Sequence, residues 1–201
     1  MAETCVETVD PRIRRTRVLL QQSLGKLLET KEFDKISVQD IAEAATVNRA
    51  TFYDHYTDKF ALLECMVGAR FGEVLTARGV RFDGGCASAL KAMVLGVGEF
   101  LAASPGLACE RQVQMEPHME AAVIAVVRRI ILDGLEKHPP ADGVAAPMLA
   151  GTLSWAIYGA AKEWVRTPGR CSSEAMAEQV MALVGPMFSA AYAGTAVGTP
   201  G

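Results

Sequence analysis

The stretch SVQDIAEAATVNRATFYDHYTDKFALL, residues 37–63, decides the fold of this chain. It reads as two short helices joined by a tight turn, the second leading through a break into a third. Ser37 with Asp40 forms an acidic capping box: the hydroxyl caps early amides while the carboxylate reaches back. Ile41, Ala42 and Ala45 give a short apolar face on which another helix can pack closely. Thr46, Val47 and Asn48 make a turn, with Asn48 placed as the next N-cap. The second helix is predicted from Arg49 to Tyr56. Thr57 and Asp58 restart a helix with Lys59 in its first turn, where the macrodipole prefers an anion. That misplaced cation implies an anionic partner outside the protein.

Two short helices about a three- or four-residue turn match the helix-turn-helix, whose second helix enters the DNA major groove. Arg49 and Thr51 can reach base edges, while Tyr53, His55, Tyr56 and Lys59 can donate to phosphates. Ser37 and Asn48, at the two helix starts, join the candidate DNA-contact set. The alternative is a small helical hairpin with ordinary surface polarity. The order of residues adds more than the pattern does. Phe33, Ile36, Ser37, Val38, Asp40, Ile41 and Ala42, then Ala45, Val47, Ala50, Thr51, Phe52, Tyr53, His55, Tyr56, Asp58 and Lys59, then Leu62 and Leu63, resemble the TetR family of one-component transcriptional regulators. The resemblance covers residues 10–63. It departs at Thr46, where the family usually carries Gly. A β-branched residue suits positive φ poorly, so the turn either keeps φ negative or is strained.

The chain has 201 residues, enough to bury a substantial core as one large or two small domains. Half are hydrophobic and 6 % aromatic, which with abundant Ala, Leu and Val predicts an all-α protein. No run of eighteen apolar residues signals a membrane span. The acidic start, with Glu3, Glu7 and Asp10, lacks a basic-then-apolar secretion signal, so the expected location is cytoplasmic. Cysteines 5, 65, 86, 109 and 171 form no C-x-x-C pair and match neither a disulfide framework nor a zinc module. They read as incidental thiols, a thiol-responsive regulator being the alternative. The net charge of −3 does not advertise a nucleic-acid binder. The clustered Arg12, Arg14, Arg15 and Arg17 supply what phosphate binding needs, a local basic patch. Arg14 and Arg17 therefore join the DNA-contact set.

About nine helices are predicted. Residues 1–10 read as a disordered lead-in, 11–63 as the helix-turn-helix domain, 64–193 as a ligand-binding and dimerisation domain, and 194–201 as a disordered tail. The first helix runs from Pro11 to about Thr30, with a connecting loop over 31–36. Helix four, over 58–78, has no break and can carry movement mechanically. A loop over 79–85 precedes helices over 88–103, 107–115, 117–137, 144–167 and 172–193. Gly185 and Pro186 should kink the last or shift its end.

Readers of this type bind two half-sites, so a homodimer on a palindromic double-stranded DNA operator is expected. The last two helices are the candidate interface, with Gly151 and Gly159 for close approach and Trp155, Trp164, Met181 and Phe188 for apolar area. The resemblance implies that such helices form a four-helix bundle and that the middle helices enclose a site for a small-molecule effector. The candidate lining is Met93, Phe100, Met115, His118, Met119, Val123, Trp155 and Tyr158; methionine suits a site for varied apolar or aromatic molecules. Each of these residues can equally be plain core. No cofactor or metal is expected: Cys109, Glu116 and His118 lack diagnostic ligand spacing. Nor does the sequence carry G-x-S-x-G, a Walker loop, H-E-x-x-H or a dinucleotide fingerprint. A helical enzyme is thus the weaker reading. A repressor released by a ligand is the stronger one, with a ligand-independent regulator as the alternative.

Overall fold

The computed structural model describes residues 10–80, 86–103, 115–141 and 144–192. These contain eight α-helices and one 3-10 turn, with no strand among them: α1 Pro11–Leu28, the 3-10 turn Phe33–Lys35, α2 Val38–Ala44, α3 Arg49–Tyr53, α4 Lys59–Ala77, α5 Ala87–Ala102, α6 Glu116–Lys137, α7 Ala146–Arg166 and α8 Ser173–Tyr192. The helix expected over 107–115 falls outside the described residues except for Met115. The expected lead-in except for Asp10, the tail and most of the loop over 79–85 also fall outside them. Among the described residues, no helix is long and apolar enough to cross a membrane.

Three helices and the start of α4 make the N-terminal unit. Asp10 caps α1 by accepting from the Arg12 amide at 2.8 Å, and Pro11 fills the first helical position, where no amide donor is needed. Leu20 and Leu24 of α1 are fully buried with Phe33, Ile36, Ile41 and Phe52. α1 packs against α2 and α4, and α2 against α3. This core is small, and α4 completes it with Leu62 and Leu63.

α4 then continues unbroken into the larger unit, as its sequence predicts, and packs on α6 and α5. α6 lies against α7, while α5 lies against α7 and α8. Two glycines let α5 sit deep in this bundle. A methyl at Gly96 would meet Leu75 of α4 at 2.6 Å, and one at Gly98 would collide with Met176 of α8. α8 runs past Pro186 to Tyr192 without ending. Both Pro186 and Ala182, whose carbonyl loses its donor to the proline ring, are exposed, so water can satisfy that carbonyl.

Candidate nucleic-acid interface and ligand core

α2 is built from its cap. The Asp40 amide donates to Ser37 Oγ at 3.1 Å, and the Ser37 amide and hydroxyl donate to Asp40 Oδ2 at 2.8 and 2.6 Å. Lys31 adds an ion pair at 3.0 Å. The Ser37 hydroxyl, then its amide, then Lys31 hold the Asp40 carboxyl well below the usual carboxylate range. The helix ends in a Schellman motif: the Val47 amide reaches Ala42 O at 2.9 Å, and the Thr46 amide reaches Glu43 O at 3.0 Å. That closure requires a left-handed residue between them, and Thr46 has φ of 56°. It is the one non-glycine residue with positive φ among the described residues. Of the two possibilities left by the missing glycine, the strained turn is the one adopted.

The strained turn delivers α3. Asn48 Oδ1 accepts from the Ala50 amide at 2.7 Å, which leaves the Asn48 NH2 group as a donor. Phe52 is fully buried and anchors this short helix, its ring against Tyr53 and Tyr56 at 5.5 and 5.9 Å. The next residue, Tyr53, is 47 % exposed. Arg49 Nη2 donates to the Tyr53 hydroxyl at 3.2 Å, and the guanidinium lies 5.5 Å from the ring centroid. Arg49 and Tyr53 thus form a solvent-facing pair held before any ligand arrives. Thr51 and His55 are half-exposed beside it. Arg14 and Arg17 stand exposed on α1.

Two residues assigned to phosphates have other partners. Lys59 Nζ donates to the carbonyls of Phe33, Asp34 and Ile36 at 2.9, 3.3 and 2.9 Å and lies 4.6 Å from the Phe33 ring centroid. A cation at the carbonyl end of the 3-10 turn is favourable, which offsets its poor place at the start of α4. Its partners here are thus the chain's own neutral backbone carbonyls and not an outside anion. Tyr56 is buried; Gln21 donates to its hydroxyl at 3.2 Å, and that hydroxyl faces Cys65 Sγ at 3.7 Å. Burial pushes this phenol up to about 12. It ties α1 to α4 rather than facing solvent. Cys65 and Cys171 are exposed and Cys86 is half-buried; Cys5 and Cys109 lie outside the described residues.

His118 departs from its expected place in a ligand lining. It stands in the first turns of α6, stacks on Phe60 of α4 at 4.4 Å, and pairs through Nδ1 with Glu64 at 2.7 Å. Phe60 in turn meets Phe33 edge-on at 5.4 Å. A continuous set of contacts therefore runs from α6 through α4 to the carbonyls held by Lys59 and on to the Ser37 cap. Sequence reasoning misses this path; only the helical phase of Phe60 and Glu64, four apart, hints at it.

Met93, Phe100, Met115, Met119, Val123 and Tyr158 are all buried in the core of the larger unit. Trp155 is not: at 59 % exposure it faces away, and it leaves the ligand set. Beside that core lies a recess lined by Leu101, Glu116, Lys162, Val165 and Arg166, with a volume of about 10 Å³, the lower limit for one water. Lys162 bridges Glu116 and Glu120 at 2.8 and 2.9 Å, and these two carboxylates raise its pKa. Glu116 and His118 are thereby engaged separately, and no cluster of three metal-ligating side chains occurs among the described residues.

Trp155 instead joins an exposed apolar face. Met148, Gly151 and Gly159 lie along the same side of α7, and a methyl added to either glycine would meet nothing within 4 Å. On α8, Leu183 is 72 % and Met187 40 % exposed, a pair four residues apart that the sequence does not single out. Two interface candidates turn inward. Phe188 is buried against Tyr192 at 5.0 Å, and Trp164 donates from Nε1 to the Cys171 carbonyl at 2.9 Å under Arg170. Met181 is half-buried.

Residues 26–66 match the family model of bacterial regulatory proteins of the tetR family. The chain is 38 % identical over 68 residues to the uncharacterized HTH-type transcriptional regulator YxbF of Bacillus subtilis, covering 33 % of this chain and 18 % of that protein. It is 35 % identical over 72 residues to the HTH-type transcriptional regulator EthR of Mycolicibacterium smegmatis, covering 32 % and 33 % of the two chains. The match thus spans a third or less of these curated relatives. Over the whole fold, the chain resembles the Thermus thermophilus TetR-family repressor FadR, solved in complex with lauroyl-CoA. The TM-score is 0.59 at 20 % identity, over 92 % of this chain and 100 % of the other.

Proposed function

For a chain that belongs to the TetR family of helix-turn-helix transcriptional regulators, we propose a homodimeric repressor that reads a palindromic operator and is released by a small apolar or aromatic molecule. The observation that carries this reading is the Arg49–Tyr53 pair, exposed on a helix whose pose is set by buried Phe52 and a closed turn. Arg49 and Thr51 read base edges, Tyr53 and Arg14 and Arg17 hold phosphates, and Asn48 and His55 stand at the rim. The face formed by Trp155, Met148, Leu183 and Met187 pairs two copies, which sets the spacing of the two heads.

Release follows from the contacts of His118. An effector that opens the core between α5, α6 and α7 moves the start of α6, and the Phe60 stack and Glu64 bond pass that movement to α4. Operator and effector then oppose each other by the same factor in both directions. The direct test is selection of random duplex DNA by the purified protein, followed by sequencing. A palindromic consensus is the expected result. Absence of enrichment at both low and moderate salt would overturn the reading.

A further inference from the structure

Tyr158 is 1 % exposed, yet its hydroxyl finds no hydrogen-bond partner among the described residues. Buried polar groups are normally paired, and an orphaned donor costs more than a made bond contributes. Burial, and next the Glu120 carboxylate, push this phenol up to about 12, so at neutral pH it is a protonated donor. Its place in the helix says what it faces. Tyr158, Lys162 and Val165–Arg166 follow one another at helical spacing on the same side of α7, and the last three line the recess described above. Lys162 Nζ stands 5.8 Å from the Tyr158 ring centroid. Tyr158 therefore stands one helical turn before Lys162, whose pairs with Glu116 and Glu120 frame the mouth of the recess.

We propose that the Tyr158 hydroxyl is the polar anchor of the effector site, and that this site takes an uncharged, largely apolar molecule bearing one oxygen acceptor, such as a ketone, ester or lactone. The inference rests on the ligand-released reading above and gives its ligand a chemical class. The mouth carries two carboxylates, Glu116 and Glu120, and two cations, Lys162 and Arg166, so its charge is already balanced. A charged ligand drawn past these half-exposed pairs toward Tyr158 gives up its hydration and finds no unpaired charge to match it, which is unfavourable. A neutral acceptor brings no charge to match and satisfies the phenol. Met93, Met115 and Met119, buried in the same core, are adaptable side chains that can rearrange around an apolar body, which so small a recess requires. A thioester on a multiply phosphorylated carrier, the kind of ligand in the Thermus structure, does not suit this mouth.

The test uses the full chain and three probes of one shape: 2-acetylnaphthalene, 2-naphthoate and 2-(aminomethyl)naphthalene, titrated by calorimetry into wild type and Tyr158→Phe. The ketone is expected to bind wild type about tenfold tighter than either charged probe, and about tenfold tighter than it binds Tyr158→Phe, the worth of one hydrogen bond. The variant, relieved of an orphaned hydroxyl, should melt no lower than wild type, which separates a lost anchor from a lost fold. Equal or tighter binding of a charged probe, unchanged ketone affinity in the variant, or no ketone binding would each overturn the proposal. The same titrations are repeated with selected operator bound. Tyr158-dependent ketone binding with no effect on operator occupancy would overturn the release reading and leave the site standing. Release by a charged probe alone would do the reverse.

Discussion

The N-terminal unit and the larger helical unit are held together by different kinds of interaction. In the first, polar side chains cap the start of each helix: Asp10 on α1, Ser37 and Asp40 on α2, Asn48 on α3, and Asp58 on α4 through the Phe60 and Ala61 amides at 2.9 and 2.8 Å. In the second, α5, α6 and α7 have no side-chain cap bond at their N-caps, and their places are set by buried apolar faces. The first arrangement fixes a pose. The second tolerates repacking, which suits the effector-binding and pairing roles proposed for it.

The largest expected effect tests the apolar side of this contrast. Trp155→Glu combined with Leu183→Glu places like charges on the face proposed for pairing. Sedimentation should report a monomer, and operator affinity should fall by more than about a hundredfold as the two half-sites lose their link. Since both side chains are exposed, the melting temperature of the monomer should change little. A variant that remains dimeric would remove this face from the interface.

Lys59→Met comes next and tests the polar side. It removes a cation from three carbonyls, two of them at 2.9 Å. Bonds to charged groups are worth about 1.5–3 kcal/mol, so urea unfolding should show a loss of about 2–3 kcal/mol. Arg14→Ala, on an exposed side chain, should leave stability unchanged and lower DNA affinity evenly across sequences. If Lys59→Met instead behaves like Arg14→Ala, a phosphate role for Lys59 returns.

The same contrast explains what is legible in the sequence. Caps and turns are written at fixed short offsets, so Ser37, Asp40, Asn48 and the boundaries of α2 follow from the residues alone. Apart from the Ser172 cap on the Ala175 amide of α8, the bundle helices α5 to α8 offer no such marks: which side faces inward depends on their neighbours. Composition groups Trp155 and Tyr158 together as ligand lining, yet the edge of the buried face falls in the roughly 60° that separates residues three apart around a helix, so Trp155 is exposed and Tyr158 buried. Phe188, expected at the interface, goes to the interior, while its neighbour Met187, to which the sequence assigns no role, stands at the surface. Lys59 and Tyr56 are misplaced by a local reading because their partners, the Phe33–Ile36 carbonyls and Gln21, are more than twenty residues away in sequence. A rule about helix dipoles cannot find them.

Arg49→Ala probes whether the fixed pose is used for reading. Loss of one base-edge contact should cost about 1–3 kcal/mol at one operator position and flatten preference there, leaving other positions intact. Repeating the random-duplex selection with the variant measures this position by position. An unchanged consensus would take Arg49 out of the readout and leave it as a support for Tyr53.

Thr46→Gly is expected to have the smallest effect, and it reverses the usual sign of a substitution in a structured turn. The Schellman closure of α2 holds Thr46 at φ 56°, where a β-branched residue costs about 1–2 kcal/mol that glycine does not. Glycine loses more backbone entropy on folding, by about 0.5–1 kcal/mol. The net gain should therefore be about 0.5–1 kcal/mol, read as a rise in urea midpoint with an unchanged slope. The bonds from the Thr46 and Val47 amides are backbone bonds and survive the change, so α3 keeps its pose and operator affinity should stay within about twofold. If glycine stabilises the turn but weakens operator binding, the threonine is holding α3 at an angle that a relaxed turn does not keep. The strain would then belong to DNA reading rather than being only tolerated by it.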